Sequence, residues 1–256
     1  MPQYLKIMKH KIFIAFLIFF IFNPGVFTNI IFGQVDSEDS ILRTQIPKKN
    51  ILIDIDGNVY KTVIIGNHEW MAENLKTTTY NDGTIIPYID KDSAWVGLYS
   101  DAYSWYNNNE NNADRFGALY NWFAVNNGKI CPDGWRVPTD EEWKFLESYV
   151  DTRYGPNDPV WDKTNFRGYD AGQRLMASSG WKSNGNGTND FGFSAFPGGE
   201  RLKNSQLIGS NGFWWSSTEY DTTSAWYRGM TYGVEDVSRN IHPKRMGFSV
   251  RCLKDK

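Results

Sequence analysis

Asp54, Asp56 and Asn58 stand at alternate positions in "DIDGN", an arrangement of oxygens that could begin a calcium loop. Such a loop needs an acidic ligand at its twelfth position. Counted from Asp54 that position is Ile65, so the stretch reads instead as a hairpin turned at Asp56-Gly57. His68, Glu69 and Glu73 are metal-ligand types, yet no second histidine follows at helical spacing and the zinc pattern fails. A hydrolase needs two carboxylates across one cleft; Glu69, Glu73, Glu200, Glu219, Glu235 and Asp236 supply the groups, and the sequence alone pairs none of them. Cys131 and Cys252 are the only two cysteines, with no CxxC. In an exported chain such a pair reads as a disulfide, contributing about 4–5 kcal/mol in the chain-entropy picture.

A different chemistry, recognition, is available to the late aromatic and polar residues. Aromatic residues make up 16% of the chain, enough to serve both core and ligand. Trp226, Tyr227, Tyr232, Arg239 and His242 are the candidate ligand contacts, because planar rings stack on apolar sugar faces or anchor a protein interface. Their competing role is structural: Trp214 and Trp215 read as alternate-face strand residues with at least one in the core, and His242, before Pro243, suits a turn.

The elements that must position these groups follow from pattern. Ile53 and Ile55 alternate with Asp54 and Asp56 before the turn, and Val59 to Ile65 returns as a second strand. Trp70, Met71 and Leu75 read as core, and "TYNDGTII" as a further turn between strand formers. Phe116, Leu119, Tyr120 and Phe123 share one helical face, with Gly128 as the stop. Pro138 breaks the chain before Thr139, an N-cap with Glu142 three residues on, which is a capping box. Asp140 and Glu141 then sit at the positive end of the helix dipole, so these acids start a helix rather than perform catalysis. Trp143, Leu146 and Val150 form the inward stripe, joined in part by Tyr149. A short helix is expected over Ala171 to Met176, and strands over Trp214 to Thr218, Ala225 to Tyr232 and Phe248 to Leu253. Helices early and short strands late predict an α+β fold with a small antiparallel sheet.

Lys6, Lys9, His10 and Lys11 precede the apolar run Ile12 to Phe22, which Asn23-Pro24-Gly25 interrupts. That is the pattern of a secretory signal peptide over 1–34, too short for the ~20 apolar residues of a spanning helix. Residues 35–49 read as a flexible leader and 50–256 as one domain. Without the signal, the 27 basic residues fall by Lys6, Lys9 and Lys11 while all 29 acids stay, a net charge of −5. This mildly acidic balance excludes nucleic acid as a partner.

In order along the chain, "DIDGNVYKTVIIGNHEWMAENLKT", "YNDGT", "FGALYNWFAV", "GKICPDGWRVPTDEEW", "GFSAFPGGER", "GFWWSST" and "MGFSVRCLK" resemble the blocks of the Fibrobacter succinogenes major paralogous domain, from about Ile51 to Lys254. The resemblance implies a protein exported by a Bacteroidetes or Fibrobacter relative, with a C-type lectin-like fold. "RVPTDEEW" and "GFSVRC" are also similar to blocks of formylglycine-generating and sulfatase-modifying-factor proteins, whose active members use two cysteines with copper and oxygen. The "GNVWEW" segment of those enzymes is missing, as are the "EPN" or "QPD" and "WND" calcium motifs of sugar-binding C-type lectins. No cofactor is expected, a structural calcium in the oxygen-rich loops Gly155–Pro159 or Gly187–Asp190 being the one allowance.

The function expected from all this is non-enzymatic recognition or adhesion. The partner would be a glycan or a surface protein, met at the cell surface, in the periplasm or outside the cell, with no membrane span after signal cleavage. The alternatives are an oxidase of the formylglycine-generating type, a carbohydrate-active hydrolase, and a purely structural envelope component.

Overall fold

The computed structural model describes residues 50–256. The expected signal peptide and leader lie outside the described residues. The chain enters as three antiparallel strands, β1 (Ile51–Ile53), β2 (Val59–Ile65) and β3 (His68–Met71). A connecting region carries α1 (Asp92–Val96), β4 (Tyr103–Ser104), α2 (Ala113–Phe116), β5 (Leu119–Tyr120) and α3 (Trp122–Asn126). Then come β6 (Trp135–Arg136), α4 (Asp140–Val150), β7 (Asn165–Arg167) and α5 (Ala171–Leu175). A small hairpin, β8 (Glu200–Arg201) and β9 (Ser205–Gln206), precedes β10 (Asn211–Glu219), β11 (Ser224–Thr231), β12 (Val237–Pro243) and β13 (Leu253–Lys254).

The fold is α+β with antiparallel sheets, as the sequence predicts, and strands open the chain as well as close it. Five strands in the order β1-β2-β3-β13-β6 make one sheet, and β10-β11-β12-β7 make the other. Two further two-stranded pairs, β4-β5 and β8-β9, flank them.

The expected single helix through Phe116 and Phe123 is two short helices with a strand between them. Gly117 interrupts it at φ 72°, and a Cβ there would lie 2.6 Å from the Leu75 carbonyl. Asn121 starts the next turn by accepting the Ala124 N–H. The expected strand Phe248 to Leu253 is ladder only at Leu253–Lys254, with isolated bridges at Phe248 and Ser249. Strand β12 carries a pattern the sequence reading passed over: Val237, Arg239 and Ile241 alternate with Ser238, Asn240 and His242.

Helix α4 forms as its capping box dictates, Thr139 Oγ1 accepting from Glu142 N and Glu142 Oε2 from Thr139 N. Trp143, Leu146 and Val150 are fully buried, whereas Tyr149 is half exposed rather than part of the inward stripe. Trp143 packs on Trp70 of β3, ring centres 5.4 Å apart. The register of β10 shifts between Trp215 and Glu219. Ser217 N–H bonds the Pro138 carbonyl there, and Thr218 Oγ1 accepts from Asp140 N, which seats the helix start on β10.

Consecutive tryptophans on β10 separate two cores. Trp214 belongs with Trp70, Trp143, Leu146 and Met230; Trp215 belongs with Met71, Tyr120, Phe248 and the Cys131–Cys252 disulfide. Both indoles are fully buried, and their N–H groups are satisfied by Asn74 Oδ1 and the Tyr120 carbonyl, each at 2.9 Å. Each buried indole removes about 150–250 Å² from water, a gross gain of roughly 4–6 kcal/mol before the entropy of ordering. No helix among the described residues is long and apolar enough to cross a membrane.

Candidate functional site: two faces of the second sheet

Cross-strand pairing sorts the candidate residues. Arg228 is opposite Arg239, and Trp226 is opposite Ile241, so Trp226, Arg228 and Arg239 share the face that meets α4. Tyr227 is opposite Asn240, Gly229 opposite Ser238, and Ala225 opposite His242, which places Tyr227 and His242 on the other face.

The α4 face is filled by charge. Arg228 donates to Glu147 Oε1 at 2.5 Å and to Asp140 Oδ1 at 2.6 Å. Arg239 forks onto Asp140 at 2.7 and 3.0 Å and donates to the Asp162 carbonyl. Arg167, from β7, completes the cluster on Glu147. All five side chains are buried. Burial alone would push the Asp140 carboxyl up, but the Arg228 and Arg239 guanidiniums outweigh it and hold the group below its ordinary value. Burial also brings Arg167 down to about 10. Three arginines against two carboxylates leave the cluster with one surplus positive charge. These groups are committed to holding α4 on the sheet.

The opposite face is different. One cross-strand row runs Phe213, Gly229, Ser238, Phe166 from β10 to β7. Gly229 is itself buried, and the Phe213 ring lies against it, within 3.3 Å of where a Cβ would stand. The next row is Trp215, Tyr227, Asn240. The Tyr227 ring contacts Phe213, His242 and Phe248, at centroid distances of 5.8, 5.7 and 5.0 Å. Asn211 and Thr231 close the end of the face with a side-chain hydrogen bond of 2.8 Å.

Asn240 on this face bonds Asn165 Oδ1 and the Ile241 N–H, but one imidazole atom is left over. The His242 Nδ1 atom is buried without a hydrogen-bond partner. Burial, helped by the Arg245 charge, lowers the His242 pKa, so the ring is neutral at physiological pH. Burial pushes the Tyr227 phenol up to about 12, with the Glu200 charge adding to it. Glu200 is itself raised by burial and is held by Gln206 Nε2 at 2.7 Å. A row of aromatic and small residues with a phenol donor and an imidazole beside it offers stacking and hydrogen bonding to a flat polar ligand. His242 and Tyr227 are displaced away from 7, which serves proton transfer at neutral pH poorly, whereas burial moves the Glu200 carboxyl upward toward it.

The structure therefore divides the five predicted ligand residues. Tyr227 and His242 come together on the face away from α4. Trp226 and Arg239 come together on the α4 face, and Arg239 is a buried structural cation. Tyr232 stands apart at the end of β11, exposed, beside Gly185. Phe213, Ser238, Asn240 and Phe166 were missed; for Ser238 and Asn240 the period-two alternation of 237–242 was the signal. Glu147 was missed as well, although it stands four residues after Trp143 on the inward side of α4.

The oxygen-rich stretches weighed for calcium are engaged internally. Asp54 accepts from Asn58 and Tyr60, Asp56 from Thr77 and Thr78, Asp158 from Val160 N, and Asp190 pairs with Arg174. The two thiols are joined in the Cys131–Cys252 disulfide.

Neither a curated protein nor a solved structure matches the chain. The model of the Fibrobacter succinogenes major domain matches residues 63–254, which takes in the second sheet, α4, both cysteines and the first sheet from the end of β2 onward. That covers well over half of the sequence, and the chain belongs to the Fibrobacter succinogenes major domain family.

Proposed function

We propose that this chain is a non-enzymatic recognition module on a C-type lectin-like scaffold, displayed outside the cell or in the periplasm, whose ligand is a glycan bound on the face of the second sheet away from α4. The observation that carries this reading is the Phe213–Gly229–Ser238–Phe166 row flanked by Tyr227 and His242, with a buried His242 nitrogen that no internal group satisfies. A sugar ring supplies what this row lacks: an apolar face for the rings and hydroxyls for the phenol and imidazole.

The enzyme readings find less support. Glu69 is held by Lys254 and Thr62, Glu73 by the Lys61 N–H, and Glu219 by Lys244, on separate elements. An oxidase of the formylglycine-generating type uses two thiols, and here both sulfurs are spent on one bond.

The test is a glycan-array screen of the purified chain followed by Tyr227→Phe and Phe213→Leu. Both variants keep most of the packing, so affinity for the array hit should fall about tenfold or more while thermal unfolding moves little. Unchanged affinity in both variants sinks the assignment of this face.

A further inference from the structure

A basin separate from the sheet face lies between β2, the residues after β3, α2 and the loop 192–196. Its volume is about 570 Å³, within the roughly 300–1,000 Å³ of small-molecule sites. Val63, Ala72 and Phe196 give it an apolar side, while Lys61, Glu73, Asp114 and Arg115 line the rest.

The charges here are unequal in their commitments. Glu73 Oε2 accepts the Lys61 backbone N–H at 2.8 Å, and Asp114 is paired with Lys76 at 2.7 Å. Among the described residues, the side chains of Lys61 and Arg115 have no ion-pair partner. Arg115 is nevertheless held in place. Its guanidinium carbon lies 5.4 Å from the centre of the Phe116 ring and 5.9 Å from that of Phe196. A Cβ at Gly180 would come within 2.7 Å of its Nη2.

A third cation stands behind the wall. Arg251 is fully buried and hydrogen-bonded to Asn74 Oδ1 and to the carbonyls of Met71, Phe193 and Ser194, with no carboxylate bonded to it. Burial brings its pKa down to about 9, partly countered by Glu73, so it remains charged at neutral pH. Phe193 and Ser194 belong to the loop that forms the basin wall. Field from a buried cation without a bonded counter-charge is screened less than field from a surface one.

We propose that this basin binds a carboxylate carried on a compact, partly apolar body, the carboxylate engaging Arg115 side-on and the body resting on Val63, Ala72 and Phe196. A guanidinium standing near two aromatic rings presents parallel N–H groups that match a carboxylate in geometry and charge. A uronic sugar residue and an acidic amino-acid side chain both carry this group on a body that fits.

The full chain is titrated by calorimetry with galacturonate, galactose and N-acetylglutamate. Galacturonate binds saturably and at least tenfold more tightly than galactose; Arg115→Ala removes that preference, and Arg115→Lys restores only part of it. Tyr227→Phe leaves galacturonate binding unchanged, which separates this basin from the sheet face. Tighter binding of N-acetylglutamate than of galacturonate, still dependent on Arg115, supports the carboxylate site and makes its source a peptide. Equal affinity for galacturonate and galactose, no binding of either acid, or acid binding indifferent to Arg115→Ala overturns the proposal. Arg115 is exposed and outside both cores, so its loss leaves folding intact.

Discussion

The guanidinium carbon of Arg239 lies 3.5 Å from the centre of the Trp226 ring. The two residues most suggestive of ligand contact on the α4 face are thus each other's partners, and the far edge of the same guanidinium is forked onto Asp140. Charge balance in the cluster then orders the effects of mutation. Losing Arg239 takes the buried group from three cations and two anions to two of each. Losing the charge of Glu147 leaves three cations facing one anion. Glu147→Gln should therefore cost about 3–5 kcal/mol, as breaking a buried pair from one side does, and Arg239→Met distinctly less. Urea unfolding at pH 7 reads both, and the reverse order would show that the cluster is not governed by its surplus charge.

Acid should act on Asp140 and Glu200 in opposite senses. Asp140 has a folded pKa below its unfolded value of about 3.9. Its contribution to stability is present above that value and is lost as pH falls through the folded pKa. Glu200 has a folded pKa raised by burial. Its contribution is full below the unfolded value of about 4.3 and is lost as pH rises through the folded pKa. Glu200→Gln removes that neutral-pH penalty and keeps an oxygen for Gln206, so the urea midpoint at pH 7 should hold or rise. Asp140→Asn should lower the midpoint at pH 7 and flatten its decline below pH 4. A Glu200→Gln protein less stable than the parent at pH 7, but equal to it at pH 4, would contradict the burial argument.

Local chemistry was the legible part of this sequence. The Thr139–Glu142 box, the Asp56-Gly57 turn and the inward stripe of α4 each depend on residues within a few positions, and each formed as expected. Asp140 was read only as a helix starter because its second role depends on Arg228 and Arg239, about ninety to a hundred residues away. Pattern within a window cannot reveal such partners. The same limit hid the division of the candidate site. Trp226 and Tyr227 are neighbours in sequence and so face opposite sides of a strand, and the side filled by charge was decided by where α4 docks. The continuous helix expected through Phe116 and Phe123 failed on one backbone position, where Gly117 turns the chain toward Leu75.

The disulfide should matter most to the shortest piece of the first sheet. Strand β13 contributes only Leu253–Lys254, yet it lies between β3 and β6, pairing Leu253 with both Trp70 and Arg136. Two residues of ladder are too few to hold a central strand unaided. Cys252, directly before it, is tied to Cys131, four residues before β6, across a sequence separation of 121. The link thus fixes β13 against the strand it must pair with. Opening it should cost about 4–5 kcal/mol on the loop-entropy argument. Hydrogen exchange at the amides that β13 brings together should also quicken before exchange in β10 and β11, whose longer ladder is independent of the sulfurs. The measurement is amide exchange and denaturant unfolding of the chain with Cys131→Ala and Cys252→Ala together. A loss below about 1 kcal/mol, with β13 still protected, would mean that packing of Leu253 in the Trp70–Trp143 core suffices to hold the strand.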